Sequence, residues 1–74
     1  MKTQLSLWKV DFEYRFFDGK HNLRKSESAL IGTRSEEAEA AAQLVRNSFS
    51  VSGQELVITA VAHQGEVFVF PTIA

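Results

Sequence analysis

Between Leu7 and Phe16 the chain alternates without a break. Trp8, Val10, Phe12, Tyr14 and Phe16 are large and apolar, and Lys9, Asp11, Glu13 and Arg15 between them are charged. A strand turns successive side chains to opposite faces, so this run predicts a half-buried β-strand with its rings on one side and its charges on the other. Asp18-Gly19 follows. Such a pair between extended segments marks a hairpin, because glycine tolerates the positive φ of a tight turn. The second strand is then expected from about Lys20 to Ile31, antiparallel to the first. Its pattern is poorer: Leu23, Ala29, Leu30 and Ile31 are apolar, but Arg24 to Ser28 is polar on both faces. This predicts an edge strand with a bulge or a protruding tip.

A helix is expected after Gly32. Thr33 with Glu36 three residues on has the form of a capping box, with Ser35 as the competing cap. Glu36 and Glu37 suit the positive end of a helix dipole. Ala38, Ala41, Ala42, Val45 and Phe49 recur at helical spacing and form the expected buried stripe, while Glu39, Gln43 and Asn47 fall on the outer side. Gly53 ends the connection. Glu55 to Ala62 is apolar and β-branched and reads as a third strand. His63-Gln64-Gly65-Glu66 reads as a tight turn, and Val67 to Phe70 as a fourth strand stopped by Pro71, which has no amide to give a ladder. The expected fold class is α+β: ββαββ, a four-stranded antiparallel sheet with one helix packed on one face, in one small domain over residues 1–74.

One helix covers one face of a sheet. The expected last hairpin is nevertheless apolar on both: Leu56, Ile58 and Ala60 against Val57 and Val61, and Val67 and Val69 against Phe68 and Phe70. Something should cover the second face or extend the edge. A homodimer is the first expectation, and Thr72-Ile73-Ala74 folding back over the face is the alternative. Size points the same way, since a chain of 74 residues buries only about 60% of its unfolded surface and has a thin core. The eight aromatics (six Phe, one Trp, one Tyr) supply the large apolar areas such a core needs. There is no cysteine, so packing alone must hold the domain together, which fits a reducing compartment. Met1 to Leu5 shows no signal-peptide pattern, and no apolar run approaches the ~20 residues of a membrane span. The expected location is the cytoplasm.

Net charge is −1, but its distribution is uneven. Residues 1–34 carry seven basic side chains (Lys2, Lys9, Arg15, Lys20, Arg24, Lys25, Arg34) against four acidic ones (Asp11, Glu13, Asp18, Glu27). Residues 35–74 carry Arg46 against Glu36, Glu37, Glu39, Glu55 and Glu66. No glycine-rich phosphate loop, Gly-x-Ser-x-Gly elbow or nucleophilic cysteine is present. His21 and His63 stand at two expected turns, near Asp18 and Glu66, without the coherent ligand spacing a metal needs. Asp11 and Glu13 could pair as acid and base, but Lys9 and Arg15 bracket them, and cross-strand ion pairs with Lys25 and Arg24 explain them more simply. The expectation is no enzyme, no cofactor and no metal.

The sequence therefore points to binding. The first reading is a small adaptor or inhibitor-like accessory protein of a bacterium or phage. It would contact another protein by edge-strand addition or through an apolar patch at Val57, Val61, Phe68 and Phe70. The alternative is nucleic-acid binding through the basic first hairpin, with Arg15, Lys20, His21, Arg24 and Lys25 on phosphates. An Asp-Gly hairpin, basic residues and a Thr-x-x-Glu-Glu-Ala helix start, within Phe12 to Ala38, resemble the arm-binding domains of phage-type integrases. The two strands expected after the helix depart from that pattern, and no family is assigned.

Overall fold

The structure is a computed structural model and describes residues 3–69. The chain runs β1 (Thr3–Phe17), β2 (Asn22–Thr33), α1 (Ala38–Phe49) and β3 (Glu55–Val69). The three strands form one antiparallel sheet in the order β2-β1-β3. Both outer strands are antiparallel to β1, so they run parallel to each other, and α1 carries the chain across the sheet between them.

The central strand is longer than the alternating run. It reaches back through Leu5 and Leu7 and has 15 residues, the same length as β3. That length explains the main correction to the expected fold. The sheet has three strands, not four, because His63 to Glu66 does not turn. It continues β3 along the N-terminal half of β1, with Trp8 opposite His63, Leu7 opposite Gly65 and Ser6 opposite Glu66. Gly65 has φ +127°, a conformation that favours glycine, and a glycine among polar residues is also the mark of a turn. Here it serves a bulge: Gln64 is the extra residue between the Leu7 and Trp8 pairs, and Thr59 is a second one between the Asp11 and Phe12 pairs. The expected bulge in β2 is not formed; that strand keeps an unbroken register from Ser6–Thr33 to Phe17–Asn22. Its polarity on both faces follows from its place at the sheet edge. Phe70, Pro71 and the expected fold-back of Thr72-Ile73-Ala74 lie outside the described residues.

Each bulge shifts the phase of the alternation. Leu56, Ile58 and Val61 consequently pack on the helix side, against the core. That core is Trp8, Val10, Phe12 and Tyr14 from β1 with Ala41 and Val45 from α1. Small side chains on the helix let it lie close to a row of rings. Ala41, Ala42 and Val45 are buried as the stripe predicted, but Ala38 is exposed and Phe49 is 38% exposed. Phe49 still reaches the core edge. Its ring sits 5.5 Å from that of Phe12, and its carbonyl accepts the Tyr14 hydroxyl.

The helix starts at Ala38, with Glu37 at the N-cap and no side-chain cap. The expected capping box fails because Thr33 has another task. It is still in β2, buried, and its Oγ1 accepts the indole N–H of Trp8 at 2.9 Å and donates to the Ser35 carbonyl at 2.6 Å. A buried indole N–H needs an acceptor more than a helix start needs a threonine.

Two substitutions test this framework. Thr33→Val keeps the shape and removes the acceptor; it is expected to lower unfolding stability by about 1–3 kcal/mol, read as a lower urea midpoint. Gly65→Ala adds a Cβ that meets nothing within 4 Å, so any loss comes from the backbone alone. That loss is expected at about 1–3 kcal/mol in the same measurement.

Candidate functional site

The strands of the sheet place one set of side chains under the helix and the other on an open face. From β1 the open face receives Leu5, Leu7, Lys9, Asp11, Glu13, Arg15 and Phe17. Their neighbours on β2 are Gly32, Leu30, Ser28, Ser26, Arg24 and Asn22, and on β3 Val67, Gly65, Ala62, Ala60, Val57 and Glu55. The charged residues of β1 form a column down the middle of this face. Small residues, Ser26 and Ser28 on one side and Ala60 and Ala62 on the other, leave the column flanked by low ground. Leu5 covers Gly32, whose added Cβ would lie 3.3 Å from Leu5 Cδ1.

Val57 and Val61, expected on one face, are separated by the Thr59 bulge: Val57 stands opposite Glu13 on the open face, and Val61 opposite Val10 in the core layer. Phe68 lies in β3 opposite Gln4, and Phe70 is outside the described residues. Val57 and Val61 therefore do not share one patch. What the structure brings together instead is an edge. Along β3 the stretch Leu56 to Ala62 has no charge, and β1 pairs with only one side of it. An unpaired strand edge offers a row of amide donors and carbonyl acceptors to another chain.

The basic residues of the first hairpin are also divided. Arg15 and Arg24 are direct cross-strand partners on the open face. Lys25 points to the helix side, opposite Tyr14. Lys20 and His21 are in the loop beyond. The ion pairs that form run along single strands: Arg15 with Glu13 at 2.6 Å and Lys25 with Glu27 at 3.3 Å. The cross-strand pairs expected for Asp11 and Glu13 are not made. Asp11 accepts the Ser28 hydroxyl at 2.6 Å instead.

The hairpin loop is held by Asp18. Its Oδ1 accepts the amides of Lys20 at 2.8 Å and His21 at 2.7 Å, and its own amide donates to the His21 carbonyl. Gly19 takes φ +100° beside it. The His21 amide, then the Lys20 amide, hold the Asp18 carboxyl below its ordinary value of 3.8.

The two histidines are far apart. His21 is at the hairpin loop, whereas His63 pairs with Trp8, roughly 30 Å along the sheet by the strand rise. The His63 and Trp8 rings are 4.8 Å apart and tilted by 59°. Among the described residues no three His, Cys, Asp or Glu side chains come together as a metal site. No described helix is long and apolar enough to cross a membrane.

No protein family, curated protein or solved structure gives a significant match to this chain.

Of two features of these surfaces, one carries no clear mark in the sequence and the other does. The Thr59 bulge has none, since every residue around it suits an ordinary strand. The exposure of Phe17 was within reach: it shares the odd-numbered phase of the charged residues, and it is 65% exposed.

The loop chemistry gives a pH test. The folded carboxyl of Asp18 titrates below the unfolded one, so the charge-dependent part of its contribution is complete above 3.8 and is lost as pH falls toward the lower folded value. Asp18→Ala is expected to lower the thermal midpoint at neutral pH, with the gap to the parent narrowing below pH 3.8. A gap that stays constant through that range would show that the carboxylate charge does not matter.

Proposed function

We propose that this chain is a non-catalytic protein-binding module, a small adaptor or inhibitor-like accessory protein, and that it works by strand addition at the edge of β3. The observation that carries the reading is the contrast between the two edges. The β2 edge holds Arg24, Lys25 and Glu27, charges of the kind that discourage another strand from pairing. The β3 edge has no charge from Leu56 to Ala62. Backbone hydrogen bonds would supply affinity, and Val57, Ala60 and Ala62 on the open face would supply side-chain contacts.

The simplest occupant is a second copy of β3 related by a two-fold axis. The phase set by the Thr59 bulge favours a pairing that keeps like faces together, with Leu56 beside Val61 of the partner subunit and Val57 beside the partner's Ala60. Such a pairing opposes apolar residues on both sides and sets no like charges against each other. The lack of cysteine fits work in a reducing compartment such as the cytoplasm.

Sedimentation velocity and amide exchange test the reading together. The parent chain is expected to dimerise with rising concentration and to gain protection along β3. The double variant Ala60→Lys, Ala62→Lys is expected to stay monomeric, while Leu30→Lys on the opposite edge strand behaves as the parent. A parent that stays monomeric, with β3 no better protected at high concentration, would rule out self-pairing at this edge.

A further inference from the structure

A different corner of the open face has the makings of a ligand site. Arg15 and Arg24 stand directly opposite each other on β1 and β2, and Phe17 and Asn22 form the next pair toward the loop. With Gln54 from the connection to β3, these residues line one open groove. Like charges placed directly across a strand pair repel, so this arrangement costs folding energy. Glu13 neutralises Arg15 at 2.6 Å, but among the described residues Arg24 has no ion-pair partner. Phe17 leaves a phenyl ring 65% exposed beside these guanidinium groups. An exposed ring next to an unpaired cation suits a ligand that carries both a flat π-face and an anion.

We propose that this corner binds single-stranded nucleic acid, with a base stacked on Phe17 and the adjoining phosphate held by Arg24. Asn22 and Gln54 offer amides to the same nucleotide. A single strand fits better than a duplex for two reasons. A base can stack on a protein ring only when it is out of a helix. The basic residues also do not form a continuous ridge for a groove, since Lys25 lies on the other face. Glu55, opposite Arg15 on β3, lines the same groove and bounds the site on that side.

Fluorescence anisotropy of a labelled oligothymidine, and of a duplex of the same length, tests this with the full chain at two salt concentrations. The single strand is expected to bind better than the duplex and to weaken as salt rises. Phe17→Ala should weaken single-strand binding about tenfold and leave the urea midpoint unchanged, because the ring is already in water. Arg24→Gln should weaken it and flatten the salt dependence by about 0.7 in the logarithmic slope. Leu30→Ala, an equally exposed apolar residue elsewhere on the face, should change nothing. The proposal fails if the single strand does not bind at low salt. It also fails if the duplex binds as well as the single strand, or if Phe17→Ala and Arg24→Gln both bind like the parent.

Discussion

The structure rests on one strand's alternation. β1 sits in the middle of the sheet, pairs with both neighbours, and supplies Trp8, Val10, Phe12 and Tyr14, four of the six residues in the core cluster. Because the large apolar residues from Trp8 to Phe16 fall on alternate positions with charges between them, that face of β1 goes under the helix. The helix answers with small residues, so that Ala41 and Val45 reach the ring layer. Two polar ties then fix where the layers meet. At one end the Trp8 indole donates to Thr33 of β2, which donates in turn to the Ser35 carbonyl in the connection to α1; at the other the Tyr14 hydroxyl donates to the Phe49 carbonyl of the helix. Both donors belong to core aromatics that must find acceptors as they are buried, so the row of rings that drives the packing also sets its register.

The same strand makes the molecule unequal. β1 and β3 have 15 residues each, about 50 Å at a strand's rise, and the molecule is 54 Å in its longest dimension. The helix has 12 residues and extends about 18 Å. A single helix of that length covers the middle of the sheet and cannot cover its ends or its other face. The exposed Phe17, Leu23 and Leu30 follow from this mismatch rather than from any local irregularity.

Much of this was legible in the chain, and the misses share a cause. The β1 pattern, the Asp18-Gly19 hairpin, the edge position of β2 and the three small helix residues all depend on neighbours close in sequence or on a strict period. The failures came where the outcome depends on a distant partner. Gly65 can serve a turn or a bulge, and only the extra length of β1 beyond Leu7 decides for the bulge. Thr33 can cap a helix or accept from an indole 25 residues away, and the buried donor prevails. Val57 and Val61 look like one face until an unmarked extra residue at Thr59 separates them. The basic cluster was visible as composition, but its division into Arg15 and Arg24 on one face and Lys25 on the other needed the register of β1 against β2.

The two edges of the sheet are built differently. Every open sheet has two unpaired strands, and each must be blocked, covered or used. β2 carries Arg24, Lys25 and Glu27 and keeps a straight register, so charge alone blocks its edge. β3 has no charge between Leu56 and Ala62, and its irregularities are bulges, which twist an edge without making it polar. Thr59 is central to that difference. Without the bulge, Val61 would keep the phase of Val57 and turn its side chain to solvent; with it, Val61 joins the core. The bulge thus moves a large apolar side chain off the open face while leaving the backbone beside it unpaired. Between Leu56 and Ala62 the exposed residues are Thr59, Ala60 and Ala62, small side chains beside a strand edge that β1 does not pair.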